Sequence, residues 1–132
     1  MIKYIPAPEI KFELERIVRK LGINSVRLNN VVCMRSVGSQ AEYTIARCWG
    51  LPKIWQLALG VEPHYIVEVI SEKYDRLSQD EKEKILIHEI MHIPRGFLGG
   101  LKKHDQNLTT TISDSDFVDR LHSLFKLRSA QG

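Results

Sequence analysis

The spacing of hydrophobic residues predicts a helix near each end of the chain. Residues 5–21 form the first, in which Pro8 suits the first turn and Gly22 suits the C-terminal cap. Residues 114–127 form the last, with Ser113 or Asp114 as its N-terminal cap. Apolar side chains at intervals of three and four residues give each helix one buried face. The members of these two stripes are Ile10, Leu14, Ile17, Val18 and Leu21, and Phe117, Val118, Leu121, Leu124 and Phe125.

Between these two helices, the pattern includes stretches with the alternation and the β-branched residues that are typical of strands. The predicted strands are residues 25–37, with a turn or a bulge at Asn29-Asn30, 43–49 and 64–70. Pro52 lacks a backbone N–H, so it indicates a sheet edge or a connection after the second strand. Residues 54–55 are expected to resume an extended or turn path, and residues 38–42 to form a loop.

A third helix is predicted over residues 78–93. Ser78, with Glu81 three residues later, has the spacing of a capping box, and Pro94 cannot continue the helix. One side of this helix is apolar and is expected to pack on a core. That side consists of Leu86, Ile87, Ile90, Met91 and Ile93.

Strands followed by a helix of this kind predict an α+β fold, with an antiparallel-rich sheet packed against the third helix. The 132 residues suffice for one core but not for two, so residues 1–132 are expected to form a single domain.

Composition adds few constraints. The net charge of +3 permits an acidic partner but argues only weakly for nucleic acid. Cys33 and Cys48 do not form a C-x-x-C motif and are expected to be buried thiols, although the sequence leaves a disulfide between them open. No signal peptide and no membrane-length apolar segment is visible, which predicts a cytoplasmic protein without a membrane partner.

The third helix carries the motif H-E-x-x-H, from His88 to His92. Residues four apart share one face of a helix, so both imidazoles can reach one metal ion. Glu89 lies about 100° round the helix from His88. It is therefore placed to accept a proton from a water that the metal polarises, which predicts a zinc-dependent hydrolase.

A catalytic zinc ion needs a third protein ligand. The sequence contains no Glu after Glu89, and the longer motif with a later Gly and His fails because those positions hold Arg95 and Leu98. His104 is the favoured candidate, because the Gly99-Gly100 pair can return the chain to the helix and imidazole suits zinc. The alternatives left open are Asp105, Asp114, Asp116, Asp119 and His122, of which Asp116 and Asp119 are expected to face water and His122 to be a half-buried helix residue.

Several segments together resemble the metallopeptidase family found in archaea and phages, which is itself similar to the SprT-like zincins. These segments are Arg47–Gln56, Tyr65–Ile70, Leu86–Pro94 and Phe97-x-Gly99-Gly100 ending at His104. They span residues 47–104, less than half of the chain. The resemblance implies a small zincin-like fold, zinc held by His88, His92 and His104, and Glu89 as the general base.

The leading hypothesis is a zinc-dependent peptidase whose extended substrate adds to a sheet edge, through residues 43–49 or 65–69. The candidates for stabilising the oxyanion are Arg47, Tyr65, Tyr74 and Arg95. One alternative is a metal-dependent RNA hydrolase, which is less favoured because a known zinc family of that kind has Gly in place of Glu89 and a shorter gap to the third His. Another is a non-catalytic, zinc-stabilised binding module, in which a fourth protein ligand such as Asp105 would close the site.

Overall fold

The computed structural model describes residues 1–102 and 114–131, with the side chains of the second segment from residue 116 onward. Within these ranges the chain forms four strands and five helices, and the predicted α+β class is confirmed. The strands are β1 (Lys3–Pro6), β2 (Val31–Val37), β3 (Ala46–Gly50) and β4 (Tyr65–Ile70). The helices are α1 (Pro8–Leu21), α2 (Lys53–Leu59), α3 (Ser71–Tyr74), α4 (Gln79–Ile90) and α5 (Asp114–Ala130).

The four strands form one mixed sheet in the order β1-β2-β4-β3. The central pair, β2 and β4, is parallel, whereas β1 pairs with β2 and β3 pairs with β4 in antiparallel fashion. The expected antiparallel-rich sheet is therefore found in the two outer pairings but not in the central one. In this sheet β4 has a neighbour on both sides, and β3 is an edge strand.

The core lies between the sheet and the helices α1, α4 and α5. Leu14 and Ile17 of α1, Val67 of β4, and Leu86 and Ile87 of α4 are almost completely buried there. Helix α5 closes the core with Val118 and Phe125, and contacts both α1 and α4. No helix in the described ranges is both long and apolar enough to cross a membrane.

The register of the sheet shows that Cys33 and Cys48 are too far apart to form a disulfide. Cys33 and Cys48 are both opposite Val67, one on each side of β4. Two strand spacings separate them, roughly 10 Å, which exceeds the reach of a disulfide. Both cysteines are accordingly free, with Cys33 buried and Cys48 partly buried.

Several of the predicted boundaries are wrong, including the ends of the third and last helices, which lie at Ile90 and Ala130 rather than at residues 93 and 127. Residues 5–6 belong to β1, and the first helix begins only at Pro8. In the stretch 25–37 the strand begins only at Val31, after a short 3-10 turn, Leu28–Asn30, that includes the predicted turn at Asn29-Asn30. The second strand begins at Ala46 rather than at residue 43.

Residues 54–55 are helical, not extended, because they belong to α2. This helix begins after Pro52 and ends at Gly60, which has a left-handed φ of 66°. Its apolar side chains Ile54, Trp55, Leu57 and Leu59 are largely exposed, and only Gln56 is buried. A helix without a buried apolar face gives no helical periodicity, which is why the pattern did not reveal it.

Candidate metal centre

Helix α4 begins with the predicted capping box. The Ser78 hydroxyl accepts a hydrogen bond from the Glu81 N–H, and the Ser78 N–H donates to the Glu81 carboxylate, both at 3.2 Å. From this fixed start, the helix buries Leu86, Ile87 and Ile90 against the core. His88, near the C-terminal end of the helix, and His92, just beyond it, are partly exposed.

The structure brings the three polar residues of the motif together. Ligand atoms of His88, Glu89 and His92 all lie within 4.8 Å of one another. The two imidazole rings are 5.1 Å apart between centroids and are inclined at 74°. Two imidazole nitrogens beside a carboxylate form a donor set that transition metals accept, so these residues fit a metal ion.

A hydrogen bond fixes the tautomer of His92. Its Nδ1 lies 2.7 Å from the carbonyl oxygen of Lys102. A carbonyl oxygen can only accept, so Nδ1 carries the hydrogen and the neutral ring has its lone pair on Nε2. This is the arrangement by which metal-binding histidines are commonly oriented, with one nitrogen donating to the protein and the other directed at the metal.

The segment after α4 returns to the end of the helix, as the glycine pair predicted. The Lys102 N–H donates to the His92 carbonyl at 2.7 Å, which together with the imidazole bond attaches residue 102 to residue 92 at two points. Farther back, the Gly99 N–H donates to the Tyr65 hydroxyl at 2.8 Å, and that hydroxyl donates to the Gly100 carbonyl at 2.7 Å. Tyr65 is completely buried.

Glycine is required at two points where the segment after α4 lies against the sheet. Gly99 has a φ of 107°, and a Cβ atom there would lie 2.3 Å from both the Gln56 amide nitrogen and the Leu51 carbonyl oxygen. A Cβ atom on Gly50 would lie 2.1 Å from the Gly99 carbonyl oxygen. The loop can therefore lie close against the ends of β3 and β4 only because both residues lack a side chain.

Behind the motif, Cys48 of β3 lies near the buried Glu89. Burial raises the pKa of the Cys48 thiol to about 12, and the negative charge of Glu89 adds to the effect. The Cys48 sulfur is not among the ligand atoms that cluster with His88 and His92, so Cys48 belongs to the surroundings of Glu89 rather than to the candidate donor set.

An open groove of about 370 Å³ runs beside the motif. Helix α4 forms one wall, the start of β3 with the residues before it forms the second, and α5 forms the third. The lining residues are Tyr43, Thr44, Ile45, Ala46, Lys84, Ile85, His88, Glu89, Val118 and Asp119. His88 and Glu89 are therefore accessible from a cavity large enough for part of a substrate.

The candidates predicted for the third metal ligand lie in different parts of the chain, and not all of them are among the described residues. His104 and Asp105 lie outside the described residues, as does the side chain of Asp114. His122 is 4% exposed, more deeply buried than expected, and its Nε2 is 2.9 Å from a Glu83 carboxylate oxygen. His122 thus belongs to a second group with Asp80 and Glu83 and does not join His88 and His92.

The two remaining aspartates are exposed, as predicted. Asp119 lies 3.0 Å from the Lys84 ammonium at the rim of the groove. Asp116 lies one turn earlier on α5.

Of the predicted oxyanion donors, Arg47 lies on the other face of the sheet, where it approaches Glu68 at 3.5 Å. The Tyr65 hydroxyl is engaged by the loop of Gly99 and Gly100. Tyr74 is buried at α3. Sequence reasoning did not single out the Tyr43 side chain, which is 87% exposed and lines the groove. Its position before an edge strand, facing α4, follows from tertiary packing and leaves no local signal.

Comparison with known proteins identifies a family for this chain. No curated protein and no solved structure matches the chain. A family model described as "Putative phage metallopeptidase" matches residues 2–125. This match extends beyond residues 47–104, because it includes β1, α1 and most of α5. A match over nearly the whole chain, on a structure that brings the H-E-x-x-H residues together beside a groove, shows that the chain belongs to this metallopeptidase family.

Proposed function

We propose that this chain is a single-domain, zincin-like, zinc-dependent peptidase with His88, His92 and His104 as metal ligands and Glu89 as the general base. The observation that carries the proposal is the clustering of His88, Glu89 and His92 within 4.8 Å on the wall of an open groove. Metallopeptidase family membership and the orientation of His92 by Lys102 support it.

The zinc ion, when bound, would supply Lewis acidity and lower the pKa of water at the site. Glu89 would take a proton from the attacking water and pass it to the leaving amine. Its burial in the groove wall holds the carboxylate in one place, and its position beside His88 sets its distance from the reacting atoms. The peptide bond is cleaved by addition of water, so no further co-reactant is needed.

The attachment of residue 102 to residue 92 supports His104 as the third ligand. His104 follows Lys102 by two residues in the sequence, and two peptide units span at most about 7.6 Å between Cα atoms. Lys102 itself contacts both the backbone and the ring of His92. The two contacts of Lys102 with His92 therefore favour His104 as the third ligand, and Asp105 and Asp114 are the alternatives.

The hydrogen-bond pattern of β3 indicates where a peptide would bind. The Ile70 N–H donates to the Ile45 carbonyl and the Leu51 N–H donates to the His64 carbonyl, so odd-numbered residues of this segment face β4. In an antiparallel pair the intervening residues face the other way. Ala46 and Cys48 therefore present their N–H and C=O groups at the outer edge, where an extended substrate would add as a further strand.

Elemental analysis of the purified wild type and of His104→Ala, together with an assay of Glu89→Gln, tests this proposal. About one zinc ion per chain is expected in the wild type, most of it lost in His104→Ala. Glu89→Gln should keep its zinc and lose cleavage of an unfolded protein substrate by at least about 100-fold. Full activity in that variant, or chelator-sensitive nicking of RNA without peptide cleavage, would overturn the proposal.

A further inference from the structure

The groove beside His88 and Glu89 has an apolar wall that the proposed chemistry does not use. Ile45, Ile85 and Val118 form it, from the segment before β3, from α4 and from α5. Val118 is buried in the core, and the other two are partly buried against it. Three different elements thus direct aliphatic side chains into one cavity.

An ion pair stands at the rim of this wall. The Lys84 ammonium and the Asp119 carboxylate are 3.0 Å apart and join α4 to α5. Their side chains are 41% and 56% exposed, so the pair contributes little to stability by itself. Its consequence is electrostatic, because the two opposite charges cancel and leave the entrance of the groove without a net charge.

We propose that this groove is the specificity pocket of the enzyme, and that it accepts an uncharged, apolar side chain of the substrate residue next to the scissile bond. The inference rests on the proposed peptidase function. It is carried by the continuity of the cavity, since the residues that line it include both His88 and Glu89.

The size and the chemistry of the cavity agree with this occupant. A volume of about 370 Å³ corresponds to roughly a dozen water molecules, so a side chain as large as that of Leu or Phe fits. A charged side chain would lose its hydration against Ile45, Ile85 and Val118, and the Lys84 and Asp119 charges at the rim are already paired with each other. A preference of about 10- to 100-fold for Leu over Lys or Asp is expected.

Charge exchange at the rim tests the assignment without disturbing the core. Lys84→Glu would place two negative charges at the entrance and should move cleavage toward sites next to Lys or Arg. Asp119→Lys would place two positive charges there and should move cleavage toward Asp or Glu. The double variant Lys84→Asp/Asp119→Lys restores a neutral pair and should restore the wild-type preference.

The readout is the cleavage-site profile of a mixed peptide library, determined by mass spectrometry for each zinc-loaded variant. Lys82→Glu is the matched control, because it makes the same charge change on α4 but lies over the Tyr74 ring, away from the groove. It should keep the wild-type profile. Thermal denaturation verifies that every variant is folded.

A second readout separates this inference from the proposed function. Binding of fluorescent peptides that differ only in one Leu, Lys or Asp is measured by anisotropy on zinc-loaded Glu89→Gln, with and without the rim exchanges. If the wild type cleaves peptides but the rim variants leave the cleavage profile or the binding order unchanged, the proposed specificity pocket is wrong. The proposed peptidase function would still stand. If the wild type cleaves no peptide, the proposed peptidase function is wrong. The order of peptide affinities would then show by itself whether the groove binds an apolar side chain.

Discussion

At the residue scale, Tyr65 connects the sheet to the segment that follows helix α4. Its hydroxyl accepts from Gly99 and donates to Gly100, two residues before Lys102 reaches His92. The aromatic ring also packs edge-on against Phe97 at 4.7 Å between centroids. The position of the segment that leads to His104 therefore depends on one buried hydroxyl group.

Tyr65→Phe is expected to keep the ring packing and lose both hydrogen bonds. A buried N–H left without its acceptor costs about 1–3 kcal/mol, and the loosened segment should weaken zinc binding about 10- to 100-fold. Chelator competition and urea denaturation measure the two effects. Tyr74→Phe, a buried tyrosine at α3 away from the groove, is the control and should leave zinc affinity unchanged. Equal zinc affinity in both variants would show that the Tyr65 hydroxyl does not position the site.

The Cys33 thiol gives a pH-dependent prediction at the same scale. Burial raises its pKa from 9.0 to about 11. At pH 8 the thiolate fraction should be about 100-fold lower than in the unfolded chain, and the reaction with a disulfide reagent should slow by at least that factor. The measurement uses Cys48→Ser, which leaves Cys33 as the sole thiol. A native rate equal to that in denaturant would contradict the burial.

The same shift has a consequence for stability, with a definite sign. The folded state favours the neutral thiol, so this contribution to the free energy of unfolding is constant below pH 9.0 and falls as the pH rises toward about 11. Chemical denaturation between these pH values should show a smaller loss of stability in Cys33→Ala than in the parent.

At the scale of elements, the attachment of α5 to α4 determines the shape of the groove. His122 and Glu83 are both buried and meet at 2.9 Å, while Arg16 of α1 lies over the Phe125 ring at 5.2 Å. Lys126 and Asp80 add an exposed ion pair at 3.1 Å. Val118 and Asp119 lie on the same helix, so these contacts also place the third wall of the groove.

His122→Ala should therefore destabilise the fold by about 2–4 kcal/mol, because it removes a buried hydrogen bond to a carboxylate and leaves a cavity. The midpoint of urea denaturation measures the change. Ser123→Ala, at the exposed neighbouring position, should remain within about 0.5 kcal/mol of the wild type. A His122→Ala variant as stable as Ser123→Ala would mean that α5 is held by its apolar contacts alone.

At the scale of the whole molecule, the sequence predicted those features whose causes are local. Helix α4 follows from its capping box and its apolar side, and the clustering of His88 with His92 follows from helical spacing. Strand β1 was missed because it depends on its pairing with β2, from Lys3 opposite Val37 to Pro6 opposite Met34, and these two segments are far apart in the chain. The role of Asp119 at the groove and the partner of His122 likewise depend on the packing of α5 against α4, which no local pattern encodes.

Because of this long-range organisation, the proposed metal ion would connect segments that are separate in the sequence rather than stabilise a single loop. His88 lies on α4 and His92 two residues beyond its end, whereas His104 lies in the sequence between Lys102 and α5. An ion bound by all three histidines would connect α4 to the segment leading to α5, and these two helices share the core. Metal binding should therefore stabilise the whole fold and not only one loop.

Zinc at about 100 times its dissociation constant should add about 2.7 kcal/mol to the free energy of unfolding, and a chelator should remove it. Scanning calorimetry over a series of free zinc concentrations measures the shift of Tm, which should keep rising with the logarithm of the concentration. His88→Ala should abolish this dependence, whereas His64→Ala should retain it, because His64 lies before β4 and its Nδ1 hydrogen-bonds to the Glu62 carbonyl oxygen. A Tm that does not respond to zinc in the wild type would exclude an ion that joins α4 to the chain beyond it, because any ligand that binds only the folded state must raise its stability.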